Sequence, residues 1–64
     1  MKKLAELRKL RGLTQKKLAD RIGVTQSAVA SWETRQIYPT VKKLIQMAEI
    51  FGCTVDELIK KEDT

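Results

Sequence analysis

The chain has 64 residues, among them 13 Lys/Arg, 8 Asp/Glu, no histidine and one cysteine, and its net charge is +5. A chain of this length buries roughly 60 % of its unfolded surface on folding, so we expect one domain over residues 1–64 that is stabilised by packing, with a contribution from a partner chain as the alternative to packing within one chain. We expect no enzyme, cofactor or metal site, because Cys53 has no histidine base and no cysteine pair has metal-ligand spacing.

Apolar residues recur at spacings of three and four, and no stretch alternates as a strand does, so we predict an all-α fold of five helices. The first helix carries three leucines between residues 4 and 10 and ends at Gly12, since glycine tolerates the left-handed conformation that follows many helices. The second helix begins after Thr14, whose hydroxyl can accept from free first-turn amides, and it ends at Gly23.

The third predicted helix runs from Gln26 to about Thr34, with Thr25 as its cap and with Val29 and Trp32 on its inner side. Only two residues separate it from the second helix. Helices joined by so short a turn diverge at a large angle, which predicts a helix-turn-helix.

Pro39 and Thr40 open the fourth predicted helix, which Gly52 ends. Its apolar stripe consists of Leu44, Met47, Ala48 and Phe51. The sequence TVDE, Thr54 to Glu57, has the form of a capping box and opens a last helix that carries Leu58 and Ile59.

Charge is distributed unevenly along the chain. Residues 1–43 hold eleven Lys/Arg against three Asp/Glu, a net charge of +8, whereas residues 44–64 hold two against five, a net charge of −3. This polarity indicates one end that faces a polyanion and one that faces solvent or a partner; an ordinary solvated surface is the alternative.

Neither an export signal nor a membrane span is predicted. Acidic and basic residues interrupt the apolar part of the N-terminal segment, and no apolar run approaches the ~18 residues of a membrane helix. A lone cysteine is typical of a reducing compartment, so we expect a cytoplasmic protein with no membrane contact.

The segment LTQKKLADRIGVTQSAVASWE resembles the helix-turn-helix of the Cro/repressor-type (XRE-like) family of prokaryotic transcription regulators, and the resemblance continues through YPTVKKLIQMAEIFGCTVDELI. It covers nearly the whole chain. It implies a compact five-helix, repressor-like DNA-binding domain whose second and third helices form the helix-turn-helix and whose third helix enters the major groove.

Base contacts are expected from Gln26, Ser27 and Ser31. A groove about 12 Å wide admits a helix only where the side chains facing the bases are short or form hydrogen bonds. Gln26 is the strongest candidate, because a carboxamide can bond adenine N6 and N7 together, while a serine bonds several base edges or a phosphate. Trp32 would anchor the helix to the core. The alternative is that the small residues, Ala28 among them, pack against another helix.

The resemblance also implies that Gln15 bonds a phosphate and steadies Gln26, and that Arg8 and Glu33 form an ion pair between the first and third helices. At the surface such a pair contributes only ~0 to 1 kcal/mol. Gln15 has an alternative role as a solvated first-turn residue.

Phosphate contacts are expected where helix N-termini present amides and the positive end of the helix dipole, and where basic side chains lie nearby. With Gln15, the expected contacts are Thr14, Lys16, Thr25, Arg35, Gln36, Thr40, Lys42 and Lys43. The family often has glycine where Arg35 stands, which predicts either a strained residue or a differently shaped loop. We expect Ile37 and Tyr38 to pack under this loop, with a DNA contact by the Tyr38 hydroxyl as the alternative.

These patterns predict a sequence-specific regulator of transcription that binds double-stranded DNA, a repressor that acts as a homodimer on a palindromic site. Apolar surface for pairing is expected at Ile50, Cys53, Val55 and Ile59. The alternative is a protein-interaction module with the same fold, or an antitoxin that binds another regulator.

Overall fold

Helices are the only regular secondary structure in residues 1–60, which are the residues that the computed structural model describes. They are α1 (Lys2–Leu10), α2 (Gln15–Ile22), α3 (Gln26–Thr34), α4 (Val41–Phe51) and α5 (Val55–Leu58). The predicted all-α fold, with α2 and α3 as its helix-turn-helix, is confirmed. Lys61, Glu62 and Asp63, which are counted in the net charge of residues 44–64, lie outside the described residues.

Four helices begin at a threonine cap. The hydroxyls of Thr14, Thr25, Thr40 and Thr54 each accept from the backbone N–H three residues later, at 3.0, 3.1, 3.4 and 3.1 Å. The predicted capping box is complete, because Glu57 Oε1 accepts from the Thr54 N–H at 2.9 Å. Each such cap contributes about 1 kcal/mol, which matters in a domain of this size.

All five helices contribute to one buried cluster. Its members are Leu4, Leu18, Ala19, Ile22, Val29, Trp32, Leu44, Met47, Phe51 and Leu58. The stripe predicted for α4 is buried throughout. Burial of each large apolar side chain contributes about 1.5–3 kcal/mol, so the cluster rather than any single contact positions the helices.

The last leucine of α1 lies outside the core. Leu4 is fully buried, whereas Leu10 is 76 % exposed. Each step of three residues falls about 60° short of a full turn at 3.6 residues per turn, so Leu10 points about 120° away from Leu4.

Candidate nucleic-acid interface

The turn between α2 and α3 depends on a glycine. Gly23 has φ 74° and ψ 38°, the left-handed conformation that side chains with a Cβ rarely adopt. The N–H of Val24 donates to the carbonyl of Ala19 at 3.0 Å and closes the end of α2. Ala19 is only 1 % exposed, and the half-buried Ala28 packs against the core, so both small residues lie on the inner sides of their helices. For Ala28, this is the packing role that the alternative interpretation gives it.

One face of α3 is anchored and the other is open. Val29 is fully buried and Trp32 is 7 % exposed, as their positions in the sequence predict. Gln26 and Ser27 are exposed at the start of the helix, and Ser31 is half-buried one turn further on. The helix therefore presents a slim polar edge to solvent while its aromatic anchor holds it from the inner side.

A chain of polar side chains connects this edge to α1. Arg8 Nε donates to Glu33 Oε2 at 2.6 Å, and Arg8 Nη2 donates to Glu33 Oε1 at 3.2 Å. Gln15 Nε2 donates to the same Glu33 Oε1 at 3.0 Å, and a longer contact of 3.5 Å joins Gln26 Nε2 to Gln15 Oε1. Four residues from three helices thus form one hydrogen-bonded series that ends at Gln26.

The ion pair in this series is buried. The side chains of Arg8 and Glu33 are only 10 % and 5 % exposed, so the small contribution expected of a surface pair does not apply to them. Arg8 Nη1 also donates to the carbonyl of Leu13 at 2.8 Å. The bidentate geometry and the additional acceptor compensate the desolvation of the guanidinium, which makes this pair a brace between α1 and α3.

The environment of Glu33 favours its ionised form. Burial by itself would raise the pKa of the carboxyl group, but hydrogen bonds from Arg8 and Gln15 and the positive charge of Arg8 outweigh it. The pKa of Glu33 is therefore lowered from its ordinary value of 4.5. An ionised carboxylate only accepts hydrogen bonds, which fixes how its partners are oriented.

The caps expected to lie near phosphate are exposed. Thr14, Thr25 and Thr40 are all exposed at the starts of α2, α3 and α4. Each hydroxyl satisfies one first-turn amide of its own helix, so the other free amides at these three ends remain available to a ligand. The positive ends of the three helix dipoles favour a ligand that is an anion.

The other expected phosphate contacts differ in their surroundings. Lys16, Arg35, Gln36 and Lys42 are exposed. Lys16 pairs with Asp20 at 3.2 Å across the surface of α2, with side chains 68 % and 64 % exposed.

Two basic side chains instead donate to the ends of helices. Lys43 Nζ donates to the carbonyl of Ile22 at the end of α2, at 2.6 Å. Arg11 likewise donates from Nη2 to the carbonyl of Phe51 at the end of α4. Neither contact is predicted from the sequence, since no local pattern marks a cation that will meet a carbonyl 21 or 40 residues away.

Of the two forms expected for the loop between α3 and α4, the one with a strained Arg35 is not observed. Arg35 has φ −116° and ψ 167°, an extended conformation without strain, so the loop has its own shape rather than a strained residue in the family's shape. The expectation that Ile37 and Tyr38 pack under the loop is wrong, because they are 46 % and 59 % exposed. Pro39 is the buried residue of this loop instead.

Comparison with known proteins agrees with this geometry. The helix-turn-helix family model matches residues 4–58. The chain belongs to the helix-turn-helix family. The resemblance to Cro/repressor-type regulators that the sequence suggests is thereby confirmed.

Several relatives share between a quarter and two fifths of their aligned residues with this helix-turn-helix protein. It is 36 % identical over 61 residues to the HTH-type transcriptional activator BcrR of Enterococcus faecalis. The aligned region covers 95 % of this chain and 30 % of BcrR. It is 32 % identical over 56 residues to the cryptic phage CTXphi transcriptional repressor RstR of Vibrio cholerae, covering 88 % of this chain and 50 % of RstR. An uncharacterised HTH-type transcriptional regulator of Methanocaldococcus jannaschii is 31 % identical over 61 residues, and there the match covers 95 % of this chain and 92 % of the relative.

The apolar surface expected for pairing of two helix-turn-helix copies belongs in large part to the core. Ile50, Cys53 and Val55 are partly buried and pack against the central cluster, and burial raises the pKa of the Cys53 thiol. Ile59 is the most exposed of the four, at 41 %. The more exposed apolar side chains of α4 are Val41 and Ile45, at 69 % and 48 %.

Neither a metal site nor a membrane span is found in the part of the chain that the structure describes. Within residues 1–60 there is no group of three or more His, Cys, Asp or Glu that could hold a metal ion. None of the five helices over the same residues combines the length and the apolar character that crossing a bilayer requires.

Proposed function

We propose that this protein is a sequence-specific regulator of transcription that binds double-stranded DNA and inserts α3, from Gln26 onward, into the major groove. One observation carries the proposal: Gln26 and Ser27 are exposed at the start of a helix whose opposite face is anchored by Val29 and Trp32. A groove about 12 Å wide accepts a helix with such a slim leading edge. Double-stranded RNA does not fit this reading helix, because side chains cannot read the deep, narrow major groove of an A-form duplex.

Base recognition is assigned to Gln26, Ser27 and Ser31. The contact with Gln15 uses one N–H of the Gln26 amide, which leaves its carbonyl oxygen and its second N–H for an adenine edge. The two serines can bond base edges or neighbouring phosphates, so they add fit more than discrimination.

Phosphate contacts surround this edge in the proposed complex. The exposed helix starts and the positive net charge of residues 1–43 favour binding of two anionic strands. The proposed contacts are Thr14, Gln15, Lys16, Thr25, Arg35, Gln36, Thr40 and Lys42. Gln15 keeps one amide N–H for a phosphate after donating the other to Glu33.

The proposed mode of action is repression by a homodimer on a palindromic site, in the cytoplasm. One recognition helix reads few base pairs, and a second copy doubles the readout when the half-sites are about 34 Å apart along the duplex. Repression is the direction that the name of the relative RstR supports, whereas BcrR is named an activator.

Selection of bound duplexes from a random-sequence pool, followed by sequencing, tests the proposal. We expect enrichment of an inverted repeat with half-site centres about 10 base pairs apart, and an affinity that falls linearly on a log–log plot against salt. A parallel selection from random RNA should enrich nothing. If no duplex is enriched, sequence-specific DNA reading is refuted, and the alternative of a protein-interaction module with the same fold is favoured.

A reporter gene behind the enriched site separates the two modes of regulation. Expression of the protein should lower the reporter signal, and mutation of either half-site should restore it. A signal that rises instead would refute the repressor assignment while leaving DNA binding intact.

A further inference from the structure

The bond between Lys43 and Ile22 joins α4 to the turn of the helix-turn-helix. Lys43 lies in the first turn of α4, is half-buried, and donates from Nζ to the Ile22 carbonyl at 2.6 Å. Ile22 is the last residue of α2, and its carbonyl is one of four that lack a partner within the helix. The ammonium group also lies at the negative end of the α2 dipole, where a cation is favoured.

The position of this bond matters more than its strength. Gly23 and Val24 follow Ile22 directly, and Thr25 then caps α3. A Cβ placed on Gly23 would lie 3.9 Å from Lys43 Nζ, so the ammonium group sits against the turn itself. The bond therefore ties the segment that sets the direction of α3 to the first turn of α4.

We propose that Lys43 is a positioning residue for DNA recognition: it holds the turn so that α3 directs Gln26 toward the bases, and it does not neutralise a phosphate. This inference rests on the proposed function. It replaces the phosphate contact expected for Lys43 from the sequence, because the bond to the Ile22 carbonyl holds the half-buried side chain against the turn rather than extended into solvent.

The two roles give different salt dependences. A lysine that neutralises a phosphate releases counterions on binding, so its removal lowers the slope of log affinity against log salt by about 0.9. A lysine that only positions the reading helix weakens binding to the selected duplex at every salt concentration, with the slope unchanged.

The chain offers two matched controls for the variant Lys43→Met. Lys42→Met removes the exposed neighbouring lysine, to which a phosphate contact is assigned. Arg11→Met removes a cation that bonds the end of α4 at Phe51, the same kind of contact at a site outside the helix-turn-helix. Binding is measured by fluorescence anisotropy on the duplex selected by the wild-type protein, over a series of salt concentrations and below the melting range of every variant.

For Lys43→Met we expect the Kd on the selected duplex to rise about two- to fivefold, the effect of a lost cation at a helix end, with an unchanged salt slope. Lys42→Met should lower the slope by about 0.9, and Arg11→Met should change neither quantity. Hydrogen exchange of the Val24 amide, which bonds the Ala19 carbonyl, should be faster in free Lys43→Met than in Arg11→Met.

Three results would overturn the inference: a lowered slope in Lys43→Met, wild-type affinity with that variant, or an equal loss of affinity in Arg11→Met. If Lys43→Met does not fold, the milder Lys43→Gln takes its place with the same expectations. Failure of the wild-type protein to bind any selected duplex refutes the proposed function instead, and exchange at Val24 still reports whether Lys43 holds the turn.

Discussion

Gln15 donates from its amide nitrogen to Oε1 of Glu33 at 3.0 Å, and this bond decides which end of its carboxamide faces Gln26. An ionised carboxylate cannot donate, so the nitrogen of Gln15 must point toward Glu33 and its oxygen toward Gln26. The residue at the end of α3 thereby orients the residue at its start, through a side chain of α2.

The strength of this arrangement depends on the buried pair behind it. Replacing Glu33 with Gln leaves the guanidinium of Arg8 largely buried without a counter-charge, so we predict that the free energy of unfolding falls by about 2–4 kcal/mol. Urea denaturation followed by circular dichroism measures the loss.

The control for this variant is Asp20→Asn, which breaks the exposed Lys16–Asp20 pair and should cost less than about 1 kcal/mol. Equal losses in the two variants would show that burial of the Arg8–Glu33 pair does not add to its contribution.

The ionisation of Glu33 also makes stability depend on pH. Its pKa is lower in the folded protein than its ordinary value of 4.5, so the unfolded chain takes up the proton first as the pH falls. The stabilisation is present above the unfolded value and is lost as the pH falls through the folded pKa.

We therefore predict that the difference in urea midpoint between the wild-type protein and Glu33→Gln is constant near neutral pH and shrinks below about pH 4.5. Denaturation series from about pH 7 to about pH 3 measure it. The exposed Glu57, whose pKa is lowered by its bonds to Thr54, titrates in both proteins and cancels in the difference. A difference that grows on acidification contradicts the assignment of an ionised Glu33.

Discrimination between base sequences should depend on Gln26. We predict that Gln26→Ala weakens binding to the selected duplex by about 1–3 kcal/mol and hardly changes binding to random duplex. The matched control is Gln36→Ala, another exposed glutamine, which is assigned to a phosphate and should weaken both duplexes alike. Unchanged discrimination in Gln26→Ala would remove that residue from base recognition.

The sequence predicts the helices of this protein well because their signals are local. A threonine cap needs only the amide three residues later, and a glycine that ends a helix needs only its own backbone freedom. Gly12, Gly23 and Gly52 accordingly have φ of 68°, 74° and 68°. The buried side of α3 follows from the same short-range periodicity that places Val29 and Trp32 on one face.

Contacts between distant residues are predicted less completely. The Arg8–Glu33 pair was expected only from the family resemblance, and nothing in the sequence shows that Lys43 bonds Ile22 or that Arg11 bonds Phe51. The assembled core decides which cations meet helix ends and which face solvent. The same holds for the loop before α4, where Pro39 is buried while Ile37 and Tyr38 are exposed.

Arg35 gives a test of that loop that does not depend on DNA. Its φ of −116° is available to any residue, so replacement by the family's glycine relieves no strain. Glycine instead gives the unfolded chain more conformations, and we predict that Arg35→Gly has a free energy of unfolding about 0.4–1 kcal/mol lower than that of Arg35→Ala. Comparing glycine with alanine cancels the loss of the charge. If Arg35→Gly is the more stable variant, residue 35 is strained in the folded protein and the loop has the family's shape after all.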